Sequence, residues 1–266
     1  VEQTLPKLNG MFAFAALDTQ EGKLYLVRDP FGIKPLYYTM SGNFFAFASE
    51  VRALKALGVV EGLDTDSLKI FLTLRYTPAP TTMWKGIKRV PPGHMLCMDV
   101  ASGNHEMACY ITPVSQRFTG SLDDAADTYR QALQASVKRQ LLSDVPVGVL
   151  LSGGIDSALV AAMAKDSGRD LSCFSVGFGK DYPECELADA EETAKVLGLP
   201  FASVVVTPEQ LKDALPNIVC SVEEPLGTTS IMPMWYLVRR ARQDATVVLT
   251  GQGTDEPWGG YLSVSG

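Results

Sequence analysis

The sequence predicts an α/β protein in two parts: an antiparallel β-rich part, then a doubly wound parallel sheet. Three observations carry this reading. The first third breaks into short apolar runs separated by Gly, Asn and Ser turns, the pattern of hairpins. Beyond Ser121, unbroken apolar runs alternate with helical stretches, as in a parallel sheet covered on both faces. One of those runs, Val147–Leu151, passes through Ser152-Gly153-Gly154 straight into a helix, and joins of that kind line the ligand crevice of open α/β sheets.

The elements follow in order. Met11–Leu17 is apolar and small, and a turn at Asp18–Gly22 leads to Lys23–Val27. Leu36–Thr39 comes next, and Ser41-Gly42-Asn43 turns the chain into Phe44–Ala48. Leu63–Leu74 reads as a helix with Asp64 as its cap. Thr77–Thr82 and Val90–Gly93 are Pro-rich connectors, and His94–Val100 pairs with His105–Tyr110 across Ser102-Gly103-Asn104. Composition shifts near Thr112–Gly120, so a first domain is expected over residues 1–113 and a second over 114–266.

In the second part Ser121 stands three residues before Asp124, a variant of the capping box, and opens a helix to Leu142. Strands are expected at Val147–Leu151, Leu171–Phe178, Ala202–Val206 and Thr246–Thr250. Helices are expected at Asp156–Lys165, Leu187–Leu197, Pro208–Val219 and Met232–Arg242.

Composition narrows the function. Hydrophobic residues make up 46% and charged residues 20%, an ordinary soluble globular balance. A net charge of −7 argues against a nucleic-acid partner, because phosphate contacts need Lys and Arg. The tight basic pairs Lys138–Arg139 and Arg239–Arg240 read as solvated helix faces. No apolar run is long enough to span a bilayer, so no membrane partner is expected, and Val1-Glu2-Gln3-Thr4 is neither a signal nor a transit peptide. The five cysteines form no CxxC pair, and His94 and His105 complete no zinc pattern. Free thiols in a reducing cytoplasm are the expectation.

The strongest local signal is Val149-Leu150-Leu151-Ser152-Gly153-Gly154-Ile155-Asp156-Ser157. The glycines allow a sharp turn and a close ligand approach. Free N–H groups of the turn and of the helix start are expected to point at one place, where the helix dipole adds positive potential. Ser152 and Ser157 can add hydroxyl donors. Asp156 cannot attract phosphate, and its natural role is to hold Mg²⁺, which bridges phosphate oxygens. The loop lacks the Gly-Lys-Ser/Thr of a Walker A loop and the G-x-G-x-x-G of the dinucleotide fold. It resembles the loop of the ATP pyrophosphatases, which cut ATP between its α- and β-phosphates.

A second loop, Thr250-Gly251-Gln252-Gly253-Thr254-Asp255-Glu256-Pro257-Trp258-Gly259-Gly260-Tyr261, follows the last strand. In a parallel sheet it should sit beside the first, where Asp255 can supply a second carboxylate to Mg²⁺. The order of Leu151–Ser157, Phe174-Ser175-Val176-Gly177-Phe178, Glu224-Pro225 with Ser230 and Pro233, and this glycine-rich segment resembles the asparagine synthetase B family. Upstream, Leu8–Ala15, Arg28–Tyr38, Phe47-Ala48-Ser49-Glu50 and Pro91-Pro92-Gly93-His94 resemble the later half of that family's glutaminase domain.

The resemblance implies a partial glutaminase domain of the N-terminal-nucleophile α+β type over 1–113. An ATP-pyrophosphatase synthetase domain, cut short at its end, follows over 114–266. It implies ATP and Mg²⁺, with aspartate and glutamine or ammonia as further substrates, in a cytoplasmic ligase for which a homodimer is one compatible assembly. In such enzymes the aspartate carboxylate attacks the α-phosphate of ATP, and ammonia displaces AMP from the aspartyl-adenylate. Asp156 and Asp255 match the catalytic, Mg²⁺-binding carboxylates. Ser152, Gly153, Gly154 and Ser157 match the pyrophosphate loop, Leu150 and Val176 the adenosine surroundings, and Thr250 and Gly251 a nucleotide contact.

Three departures accompany the match. The chain opens at Val1, past the family's nucleophilic cysteine, and Asn9-Gly10 reads as a structural strand motif rather than an oxyanion hole. It stops soon after Tyr261, before a lysine that contacts phosphate in the family. Gln252 stands where asparagine synthetases carry a Glu proposed to handle the ammonia proton, and an amide cannot accept that proton. A related amide ligase, such as a β-lactam synthetase-like enzyme, and a non-catalytic nucleotide-binding paralogue therefore remain open readings, and the fragment alone is expected to be inactive.

Overall fold

The computed structural model describes residues 1–258 except Asn43, Glu61, Pro113, Lys180, Asp181, Pro183 and Glu184. Gly259-Gly260-Tyr261 of the second loop therefore lie outside the described residues. The chain forms two compact units. One is Val1–Gln116 with Val219–Thr228, and the other is Arg117–Ile218 with the chain from Thr229 onward.

The first unit is built on two antiparallel sheets. Strands β1 (Ala13–Asp18), β2 (Lys23–Arg28), β6 (His94–Asp99) and β7 (His105–Cys109) form one, in the order β1-β2-β6-β7. Strands β3 (Tyr37–Ser41), β4 (Phe44–Ala48) and β5 (Ile87–Arg89) form the other, in the order β4-β3-β5. Alternation sorts the side chains. Leu26, Leu96 and Met98 from one sheet meet Tyr38 from the other, while Tyr25, Val27 and Met95 face the opposite side with Leu5. The helix α1 (Val51–Ala56) covers the outer side of the second sheet through Val51 and Leu54, against Tyr37 and Ile87. In α2 (Thr65–Leu74) the Asp64 side chain accepts the N–H groups of Asp66 and Ser67, as its sequence suggests.

Two parts of this unit carry little sequence signal. α1 and β5 fall in stretches too short for a clear period. The loop from Asp29 to Lys34, which follows β2, is held by hydrogen bonds of Asp29 and Arg28. Buried Asp29 accepts N–H groups of Phe31, Ile33 and Lys34, and buried Arg28 donates to the carbonyls of Gly32, Lys34 and Val90. Glu224, in the Val219–Thr228 segment, pairs with Arg89, and Glu223 pairs with Arg52. Burial pushes the Glu224 carboxyl up, against the pull of Arg89.

The second unit is a parallel sheet in the order β10-β9-β8-β11, with β8 (Val147–Leu150), β9 (Ser172–Gly177), β10 (Phe201–Val205) and β11 (Val247–Leu249). Helices α3 (Leu122–Gln140), α4 (Ile155–Lys165) and α5 (Leu187–Leu197) bury Val137, Ala161 and Ala190 on one face, with Val147, Val149 and Leu151. On the opposite face α7 (Ile231–Ala241) packs Leu237 and Ala241 on Leu150 and Phe174. The sheet is thus wound on both faces, as the continuous apolar strands require. The Ser121–Asp124 capping box is formed. α6 (Pro208–Ser221) follows β10, and the short α8 (Asp255–Trp258) ends the described chain. Among the described residues no helix is long and apolar enough to cross a membrane.

Candidate functional site

The strand order reverses at β8: the chain runs outward through β9 and β10, then returns to the other side of β8 with β11. Such a reversal leaves a crevice beyond the carboxyl ends of the two strands it separates. A cleft of about 440 Å³ opens there, within the ~300–1,000 Å³ usual for small-molecule sites. Both loops singled out from the sequence line it.

The first loop is held by its own serines. Ser157, buried, takes the Ser152 N–H on its Oγ at 3.0 Å and meets Ser152 Oγ at 2.8 Å. Ser152 Oγ in turn accepts the Gly154 N–H at 3.2 Å. The remaining glycine amide, Gly153 N–H, goes to Glu186 Oε2 at 3.1 Å. The expectation of free amides aimed at one point is therefore corrected at these three positions, because side-chain oxygens already take them. Gly154 is the N-cap of α4 and makes no side-chain cap hydrogen bond, so Asp156 is not the cap but a first-turn carboxylate, half-buried, facing the cleft.

The second loop is closed by Thr250 Oγ1, which accepts the Gln252 N–H at 3.2 Å, and by Thr254, whose hydroxyl donates to the Gly251 carbonyl at 2.7 Å. Gly251 lies directly on the start of α4. A Cβ there would stand 2.6 Å from Ser157 N and 2.8 Å from the Asp156 carbonyl carbon. The absent side chain is what lets the two loops touch, and it brings Asp255 to the same cleft as Asp156.

Nine of the ten candidate residues line this cleft: Leu150, Ser152, Gly154, Asp156, Ser157, Val176, Thr250, Gly251 and Asp255. Gly153 is not among the lining residues: a Cβ on it would meet the start of α5, with Glu186 Cβ at 2.9 Å and Asp189 Cβ at 3.1 Å. The cleft also takes Ser175, Glu186, Ser230, Pro233, Met234, Leu237 and Gln252. Leu150, Val176, Met234 and Leu237 make one wall apolar, while the serines and carboxylates make the other polar. Glu186 had no distinguishing signal in the sequence beyond standing just before a helix that follows a strand.

Residues 128–265 match the family described as asparagine synthase, and residues 2–111 match the glutamine amidotransferase domain. The chain belongs to the asparagine synthase family. Its relatives include asparagine synthetase (glutamine-hydrolyzing) 1 of Bacillus subtilis, 36% identical over 261 residues, which are 98% of this chain and 41% of that protein. Asparagine synthetase (glutamine-hydrolyzing) 3 of the same organism is 31% identical over 277 residues, 98% of this chain and 45% of that protein. Amidase chyE of Penicillium rubens is 31% identical over 277 residues, 96% of this chain and 40% of that protein. The chain thus spans less than half the length of these relatives. The cleft at β8 and β11 lies within the segment matched as asparagine synthase.

Proposed function

We propose that this chain carries the ATP site of a glutamine-dependent asparagine synthetase, working in the cytoplasm. Residues 1–113 would belong to its glutamine amidotransferase domain and 114–266 to its synthetase domain. The observation that carries the reading is the meeting of two loops on one cleft, with Gly251 seated on the backbone of Asp156 and Ser157. In this reading the adenine and ribose lie along Leu150 and Val176, near Thr250 and Gly251. The pyrophosphate lies over Ser152–Ser157.

Asp156 and Asp255 are two hard oxygen donors lining one polar wall, the donor type Mg²⁺ takes alongside phosphate oxygens. When bound, the ion would neutralise charge on the phosphates. The protein's own contribution is positioning. The aspartate side-chain carboxylate has no leaving group until it is adenylated. Holding it in line with the α-phosphate lets it displace pyrophosphate, and ammonia then displaces AMP from the aspartyl-adenylate.

A second reading rests on Gln252. It lines the cleft, and as a neutral amide it cannot accept the proton of an attacking amine. That favours a related ligase joining a different carboxylate and amine. The test is pyrophosphate release from Mg·ATP by a chain extended to the full length of its relatives, with aspartate and either glutamine or ammonium. Release that depends on aspartate and yields asparagine supports the first reading. ATP binding without it supports the second. Unchanged ATP affinity in Asp156→Asn would remove catalysis through this site from both.

A further inference from the structure

The Ser152, Gly153 and Gly154 amides each donate inside the protein, but their acceptors differ in kind. Ser157 Oγ and Ser152 Oγ belong to the loop itself and are neutral hydroxyls, which accept an N–H while still donating elsewhere. The acceptor of Gly153 is the carboxylate of Glu186, carried by another element at the start of α5. This contact is built in. Glu186 Cβ and Cγ lie 2.9 and 3.3 Å from where a Cβ of residue 153 would be, so only glycine admits them. Glu186 also lines the cleft with Ser152, Gly154, Asp156 and Ser157.

A carboxylate and a phosphate oxygen ask the same thing of an amide, and two anions cannot share one N–H without repulsion. We infer that Glu186 competes with the pyrophosphate group of a bound nucleotide for the Gly153 amide, and that nucleotide binding requires its carboxylate to let go. The inference rests on the Ser152–Ser157 loop being a pyrophosphate site. It makes Glu186 a positioning residue that tunes affinity by opposing it, with the opposite effect to a phosphate ligand or to a side chain that merely holds the loop in shape.

The experiment is titration calorimetry of inorganic pyrophosphate, in the presence of Mg²⁺, into the wild-type chain, Glu186→Gln and Glu186→Ala. Both variants should bind ~3- to 30-fold more tightly than wild type, because each removes the competing charge. Glu186→Gln keeps the shape of the side chain, so it carries the test if Glu186→Ala melts early. The Gly153 amide resonance adds a readout that mere loosening of the loop would not produce. In Glu186→Gln it should move part of the way towards its position in pyrophosphate-saturated wild type. Equal or weaker binding by a folded Glu186→Gln overturns the inference while leaving the ATP site standing. Absence of pyrophosphate and ATP binding in all three proteins overturns the site reading and the inference with it.

Discussion

Replacing Gly251 by alanine puts the joining of the two loops to a direct test. The new Cβ would sit 2.6 Å from Ser157 N, 2.8 Å from the Asp156 carbonyl carbon and 3.0 Å from Ser157 Cα. All three neighbours are backbone atoms of the first turn of α4, so no rotamer change relieves the contact. Reaching ordinary contact distance requires a separation of nearly another ångström, taken up by the loop or by the helix start. Overpacking of this kind costs about 1–3 kcal/mol. If that strain is relieved by moving Thr250–Asp255 away from Ser152–Ser157, a tenfold loss per ~1.4 kcal/mol gives ~5- to 150-fold weaker binding of Mg·ATP. Calorimetric titration with Mg·ATP measures it, and a thermal melt shows whether the fold has been lost instead. Gly10→Ala is the control, since a Cβ there meets nothing within 4 Å. A Gly251→Ala protein that binds Mg·ATP as tightly as wild type would refute the claim that these loops form one site.

Two further predictions follow from local electrostatics. The Ser121 hydroxyl, then its backbone N–H, hold the Asp124 carboxyl below the usual value of 3.8. A depressed folded pKa stabilises above the unfolded value and is lost as pH falls through the folded one, so Asp124→Asn should flatten the decline below about pH 4 in urea melts, and an unaltered acid limb would contradict it. For the thiols, burial pushes Cys173 up to about 11, while the backbone N–H groups of Leu187 and Phe178 hold Cys185 below its usual range. Alkylation at neutral pH followed by peptide mapping should therefore label Cys185 well before Cys173, and the reverse order would mean that the β9 core opens more readily than its packing indicates.

The second unit was the more legible in the sequence, and the reason is physical. A strand buried on both faces is largely apolar, so Val147–Leu150 stands out as a run and Ser172–Gly177 as a stretch of small and apolar residues, and the helices show their own period. The Ser121–Asp124 box and the Asp64 cap could be read because capping needs particular oxygens at fixed offsets. What escaped was decided by partners far away in the chain. β5 is three residues long and exists because Tyr37–Thr39 offers it a ladder. The Val219–Thr228 segment counts with the first unit, where Glu224 finds Arg89 and Glu223 finds Arg52, and nothing in its local pattern says so. The Glu224-Pro225 and Ser230–Pro233 halves of one motif thus serve different ends, the first in that unit and the second at the cleft.

The same distinction explains what could be foreseen of the site. Motif residues placed Asp156 and Asp255 in one cleft because sheet topology alone takes the ends of β8 and β11 there. Sequence could say that glycines permit close approach, but not what approaches. Gly251 admits the backbone of α4, whereas Gly153 admits the side chains of α5. Two glycines, one in each loop, therefore do different work. One joins the halves of the site. The other brings a carboxylate onto the loop, so Gly153→Ala should strain the α5 contact without separating Asp156 from Asp255. That difference is why the Glu186 and Gly251 substitutions are expected to move nucleotide affinity in opposite directions.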